Sequence, residues 1–170
     1  MELLVPVSAG ELLDKITILQ IKAQRIGDAA KRANVAVELA ALEAVAVRAG
    51  LVAEAGQAPG PDGVFAPIPA VGAGIDDGGD AVADGAGQAA LAPVLAQLAP
   101  VMAQLVTVNG ELWEIEDRIR DCERAGYFGS GFVELARAVY RTNDRRAALK
   151  AQINQLCGSQ LVEEKSYAAY

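Results

Sequence analysis

The feature that most constrains this chain is an apolar stripe of unusual length. Val94, Leu98, Val101, Leu105, Val108, Leu112, Ile115, Ile119 and Cys122 advance by alternating steps of four and three residues. Such spacing keeps every one of these side chains on a single face of an α-helix and has the period of coiled-coil packing. A second stripe follows at once: Phe132, Leu135, Val139, Thr142, Arg146, Leu149, Ile153 and Leu156. Gly126 supplies a stop for the first helix and Gly158 for the second, while Pro93 suits a first helical turn and Pro100 predicts a kink or restart. The short segment YFGSG leaves only about five residues between the two helices, so they must run antiparallel as an αα-hairpin. With a turn centred near Gly129, residues level with one another sum to about 257. Cys122 then lies beside Leu135 and roughly 30 Å from Cys157, too far for a disulfide.

The first fifty residues hold the other helical signals. Ser8 and Glu11 form a capping box, flanked by Val7 and Leu12 at the hydrophobic-staple positions. Leu12, Ile16, Leu19, Ala23 and Ile26 then trace one face. Gly27 and Asp28 interrupt it, and Val35, Leu39, Leu42 and Ala46 resume out of phase. A second helix is therefore expected, capped by Asp28 and ending near Gly50, with a kink and a reversal equally compatible with the break. The MELLVPV start and the GSQLVEEKSYAAY tail could pair as extended segments.

Composition matters where it excludes chemistry. The 170 residues contain no histidine, which removes Ser-His and Cys-His nucleophile systems and histidine-ligated zinc. Net charge is -7, but residues 51–92 carry six acids and no base, and the two flanking parts are almost neutral. A nearly neutral body with few aromatics argues against nucleic acid as partner. Residues 51–92 lose all periodicity and mix Gly, Ala and Pro with Asp, so a disordered acidic insertion is expected there, lacking the spacing of a calcium loop. Two cysteines, no signal-like leader and no long apolar run predict a cytoplasmic protein without membrane insertion. The expected fold is all-α: a single helical domain over 1–170, an antiparallel bundle with its body at 8–50 and 93–158 and an extended tail at 159–170.

Candidate chemistry is confined to charged residues. Arg146 falls on an otherwise apolar stripe and needs a carboxylate, for which the height rule offers Glu111 or Glu114. Trp113, Asp117, Arg120 and Arg124 share a face of the third helix, Arg137, Arg141 and Arg145 stack on the fourth, and Lys15, Lys22 and Arg25 share a face of the first. Were these faces to meet, guanidinium groups and an indole could hold an anionic metabolite. The candidate ligand-binding set is Lys15, Trp113, Asp117, Arg120, Arg137, Asn143, Asp144 and Arg146, with Asp117, Glu116 or Asp144 available as acid or base. Ordinary solvated ion pairs are the competing reading, since most of these bases have an acid one turn away. The segment around Ser130 and Gly131 could be taken for a phosphate cradle, but it lacks the Walker lysine and reads as a hairpin turn in which Ser130 caps the fourth helix.

The stretch from Val5 to Leu42, the block NGELWEIEDRIRDCE and the C-terminal FVELARAVYRTNDRRAALKAQINQLCGSQLVEEKSY together resemble a family of short bacterial proteins classed as a domain of unknown function. The resemblance covers residues 5–45 and 105–170. Its matching positions are Lys15, Ile16, Trp113, Glu116, Asp117, Arg120, Arg137, Tyr140, Asn143, Asp144, Arg146, Glu163, Glu164, Lys165 and Tyr167. It implies a helical cytoplasmic protein found alongside surface-polysaccharide and glycosyltransferase proteins, with no catalytic assignment and no cofactor. The insertion at 52–92 departs from the pattern. Two functions are thus expected to compete: a non-enzymatic adaptor that self-associates through the 94–122 stripe, or a small all-α enzyme or binding protein for a sugar phosphate or nucleotide sugar.

Overall fold

The computed structural model describes residues 3–52 and 85–166, with side chains from Pro93 onward in the second part. The acidic stretch at 53–84 and Tyr167 lie outside the described residues. The described residues form four helices: α1 (Ala9–Arg25), α2 (Ala29–Arg48), α3 (Gly85–Ala125) and α4 (Ser130–Leu156). No strand forms among the described residues, so the chain is all-α as its periodicities predict.

Local chemistry explains the boundaries. The Ser8 hydroxyl accepts from the Glu11 amide at 3.3 Å and opens α1, and the Asp28 carboxylate accepts from the Lys31 amide at 2.9 Å and opens α2. Three helices end in the same way. Gly50, Gly126 and Gly158 adopt φ of 68°, 62° and 63°, and the amide after each glycine reaches back to a carbonyl five residues earlier, as Tyr127 does to Cys122 at 2.9 Å. These are Schellman closures, and the left-handed conformation they need is one that glycine adopts without a Cβ penalty.

Three expectations are corrected. The helix predicted from Pro93 begins at Gly85 and runs through both Pro93 and Pro100. Both prolines are solvent-exposed, so the carbonyl four residues before each, which loses its amide donor, can be hydrated. Ser130 does not cap α4. Gly129 holds the cap position, and the Tyr127 hydroxyl folds back over the turn to accept from the Gly131 amide at 3.4 Å. A Cβ at Gly129 would meet the Tyr127 ring at 2.9 Å, which is why a glycine belongs there. The described residues of the two extended ends form no strand, and Leu3, Leu4, Val5 and Val7 are exposed.

Between α1 and α2 the chain reverses. Lys15 ion-pairs Glu38 at 2.7 Å and Gln20 donates to Glu43 at 3.3 Å, whereas in a merely kinked helix Lys15 and Glu38 would stand roughly 35 Å apart. α3 and α4 form the expected hairpin, marked by Arg145 with Glu111 at 2.6 Å. α1 is the central element, packed on α2, α3 and α4. Its Leu12, Leu13 and Ile16 join Leu98, Val101, Leu105 and Val108 of α3, Leu149 and Ile153 of α4, and Ala46 of α2 in one core. The predicted α2 stripe does face inward: Val35 and Ala46 are buried, with Leu39 and Leu42 half-buried.

Candidate functional site

Two regions carry the chemistry that a partner or ligand could use: a buried polar network where α1, α3 and α4 meet, and the free end of the α3–α4 hairpin.

The network is organised by Asp14, whose side chain is only 3% exposed. Arg146 grips it from α4 with two donors, Nε to Oδ1 at 2.8 Å and Nη2 to Oδ2. Asn109 of α3 donates to the same Oδ1 at 2.9 Å and to the Thr17 hydroxyl at 2.8 Å, and that hydroxyl donates to the Asp14 carbonyl at 2.8 Å. A carboxylate removed from water this thoroughly is tolerable because it is paired and hydrogen-bonded. The hydrogen bond to Asp14 holds the Arg146 pKa above its usual value against the opposing effect of burial. One helical turn or two toward the C-terminus of α4, Asn154 accepts from the Gly10 amide at 2.7 Å, and Lys150 bridges Glu11 and Glu163. Burial works against the charge on Lys150, yet the two carboxylates outweigh it and raise its pKa, while Lys150 lowers that of Glu163. Gly10 permits this approach: a Cβ there would sit 2.6 Å from the Lys150 carbonyl oxygen. No fully buried side-chain nitrogen or oxygen among the described residues lacks a partner.

Arg146 is therefore paired, but not with Glu111 or Glu114. Its carboxylate comes from α1, because Arg145 takes Glu111 and Arg25 takes Glu114. The other candidate residues do not gather around it. Lys15 lies on the outer face with Glu38, and Arg120 pairs with Glu116 at 3.2 Å and Asp117 at 3.9 Å. Arg137 pairs with Glu134 at 2.8 Å, the Asn143 side-chain amide donates to the Val139 carbonyl at 3.1 Å, and Asp144 is half-buried. Trp113 is half-buried beneath the Arg25 guanidinium, 5.8 Å from the ring centroid. Two surface grooves run beside α4, of about 410 and 480 Å³, and none of these eight residues lines either. Each basic member of the set is thus committed to a carboxylate of the same chain.

Asp14, Thr17, Asn109, Lys150 and Asn154 are the buried polar residues that stripe-reading passes over. A signal was available: Gly10, Asp14 and Thr17 recur at i, i+4 and i+7, a small and polar stripe beside the apolar one, and Asn109, Lys150 and Asn154 each follow an apolar seam position.

The second region begins where α1 stops. Arg25, its last residue, ion-pairs Glu114, and α3 continues eleven residues further to Ala125 before the chain returns in α4. Here the seam residues Ile115, Ile119, Cys122, Phe132 and Val139 are only half-buried, although Leu135 between them is buried by the hairpin itself. At the turn Tyr127 and Phe128 are 50% and 55% exposed, and Phe128 packs edge-on against Phe132 at 5.3 Å. The described residues form no cluster of three or more metal-ligating side chains, and none of their helices is long and apolar enough to cross a membrane.

Compared with known proteins, the chain matches no family model, no curated protein and no solved structure.

Proposed function

We propose that this is a non-enzymatic helical adaptor that presents the free end of the α3–α4 hairpin to a protein partner. The observation that supports this reading is the persistence of an apolar seam past the last residue of α1, with Phe128 and Val133 exposed at its margin. A helical surface with half-buried apolar residues and a charged surround has the anatomy of an interface rather than of a reaction site. Ion pairing within the chain of Lys15, Arg120, Arg137 and Arg146 speaks against the competing reading as a binder of sugar phosphates or nucleotide sugars. As part of this proposal, partners would be sought among the surface-polysaccharide and glycosyltransferase proteins that the sequence resemblance implies as neighbours.

The test is site-specific photo-crosslinking in living cells, with the reactive residue placed at Phe128 or Val133 and, as a control, at Arg48 at the end of α2. Protein adducts at the first two positions and not at the third are expected. Adducts equally frequent at Arg48, or none at the tip, would overturn the reading.

A further inference from the structure

We infer that the partner of this free hairpin end is a second copy of the same chain, the two tips packing side by side as a four-helix bundle. The inference rests on the adaptor reading and names its partner.

Continuity comes first. Upstream, the groove between α3 and α4 is filled by α1, and Leu98, Val101, Leu105 and Val108 are buried there to 3% exposure or less. The same four-three stripe then runs on without a break through Leu112 to Ile115, Ile119 and Cys122, the last three beyond the Arg25–Glu114 contact that marks the end of α1. An unbroken period calls for the same kind of occupant, a helix with an apolar face in coiled-coil packing. α1 and α2 are already engaged with the body of their own chain, and the distal hairpin of another copy offers such a face.

Charge is compatible with a second copy and disfavours a strongly charged partner. Although the chain as a whole is at -7, the segment from Glu116 to Arg141 holds five acids and five bases. Many of these are neutralised on their own helix: Arg120 by Glu116 and Asp117, Arg124 by Asp121, and Arg137 by Glu134. A strongly basic or acidic partner would gain no steering from such a surface, whereas two copies meet with no net repulsion. The acidic excess lies in residues 51–92, away in sequence from the hairpin. The exposed aromatic pair at the turn supplies anchor residues of the type that dominate helical interfaces.

The experiment is sedimentation equilibrium on the full chain, comparing wild type with a Phe128→Glu/Val133→Glu double variant and with a Val37→Glu control on the exposed face of α2. Wild type is expected at twice the 17.6 kDa chain mass. The double variant should raise the dimer dissociation constant about tenfold or more with an unchanged far-UV circular dichroism spectrum, and the control should not. A wild type that stays at 17.6 kDa throughout its soluble range, or a dimer indifferent to the double variant, overturns self-association. The crosslinking experiment separates the two failures: tip adducts to an unlike protein would leave the adaptor reading standing and this inference refuted, and an absence of tip adducts would remove both.

Discussion

Leu105 and Ile119 occupy equivalent places in one apolar stripe, two heptads apart, and their surroundings differ completely. Leu105 is fully buried beneath α1, and the polar residues beside it are knitted into the Asp14 network. Ile119 is half-buried in a two-helix seam whose charges are paired along each helix and open to water. The contrast teaches that a periodic stripe specifies which side of a helix seeks cover but not what supplies it. In the proximal half the cover is α1, and the approach is close enough to demand a glycine at position 10. In the distal half the chain supplies only the other arm of the hairpin.

Breaking the ion pairs of the two halves should give the largest contrast. Asp14→Ala leaves Arg146 half-buried without its carboxylate and should cost about 3–5 kcal/mol, whereas Glu134→Ala at the exposed Arg137 pair should cost under about 1 kcal/mol, as read by urea unfolding. An Asp14→Leu/Arg146→Leu double variant should recover most of that loss, since removing both partners strands no charge. Equal costs for the two single variants would erase the distinction between the halves.

Truncating the seam comes next. Leu105→Ala should destabilise by about 2–5 kcal/mol and Ile119→Ala by roughly half as much or less, in thermal or chemical unfolding of dilute protein. Close backbone approach is probed by Gly10→Ala, expected to cost about 1–3 kcal/mol because the new methyl collides with the Lys150 carbonyl. Its counterpart Gly110→Ala meets nothing within 4 Å and should instead stabilise α3 by about 0.5–1 kcal/mol.

The smallest effect is that of pH on the Glu11–Lys150–Glu163 bridge. The Lys150 pKa is raised in the folded chain, so its contribution is complete below the ordinary lysine value of 10.5 and is lost as pH rises through the folded value. Glu163 is lowered, so its contribution is present above the ordinary 4.5 and is lost as pH falls through its folded value. A Lys150→Met variant should flatten both limbs of a melting-temperature profile. Each limb amounts to about 1 kcal/mol at most, because both glutamates are 40% exposed or more.

Much of this architecture was legible in advance. The stripes located all four helices, Ser8 and Asp28 marked two starts, Gly50, Gly126 and Gly158 marked three ends, and the five-residue turn implied the antiparallel hairpin. The N-terminal limit of α3 was not legible, because Pro93 reads as a first turn and the preceding Ala- and Gly-rich residues have no apolar period. Nor was the partner of Arg146: height along the hairpin puts Glu111 within reach but says nothing of α1, a helix more than a hundred residues away in sequence. Of the eight candidate site residues only Arg146 enters the buried network, because likeness of face on one helix carries no information about which faces meet.

What the sequence by itself determined is therefore local: helix periods, caps, glycine stops and the neutrality of the hairpin, each set by forces acting within a few residues along the chain. Only the tertiary structure decided that the break at Gly27 is a reversal, that α1 lies in the proximal groove, and that Asp14 rather than Glu111 holds Arg146. Those outcomes depend on contacts between elements distant in sequence, where close packing and the cost of an unpaired buried charge select one arrangement from several that satisfy every local rule.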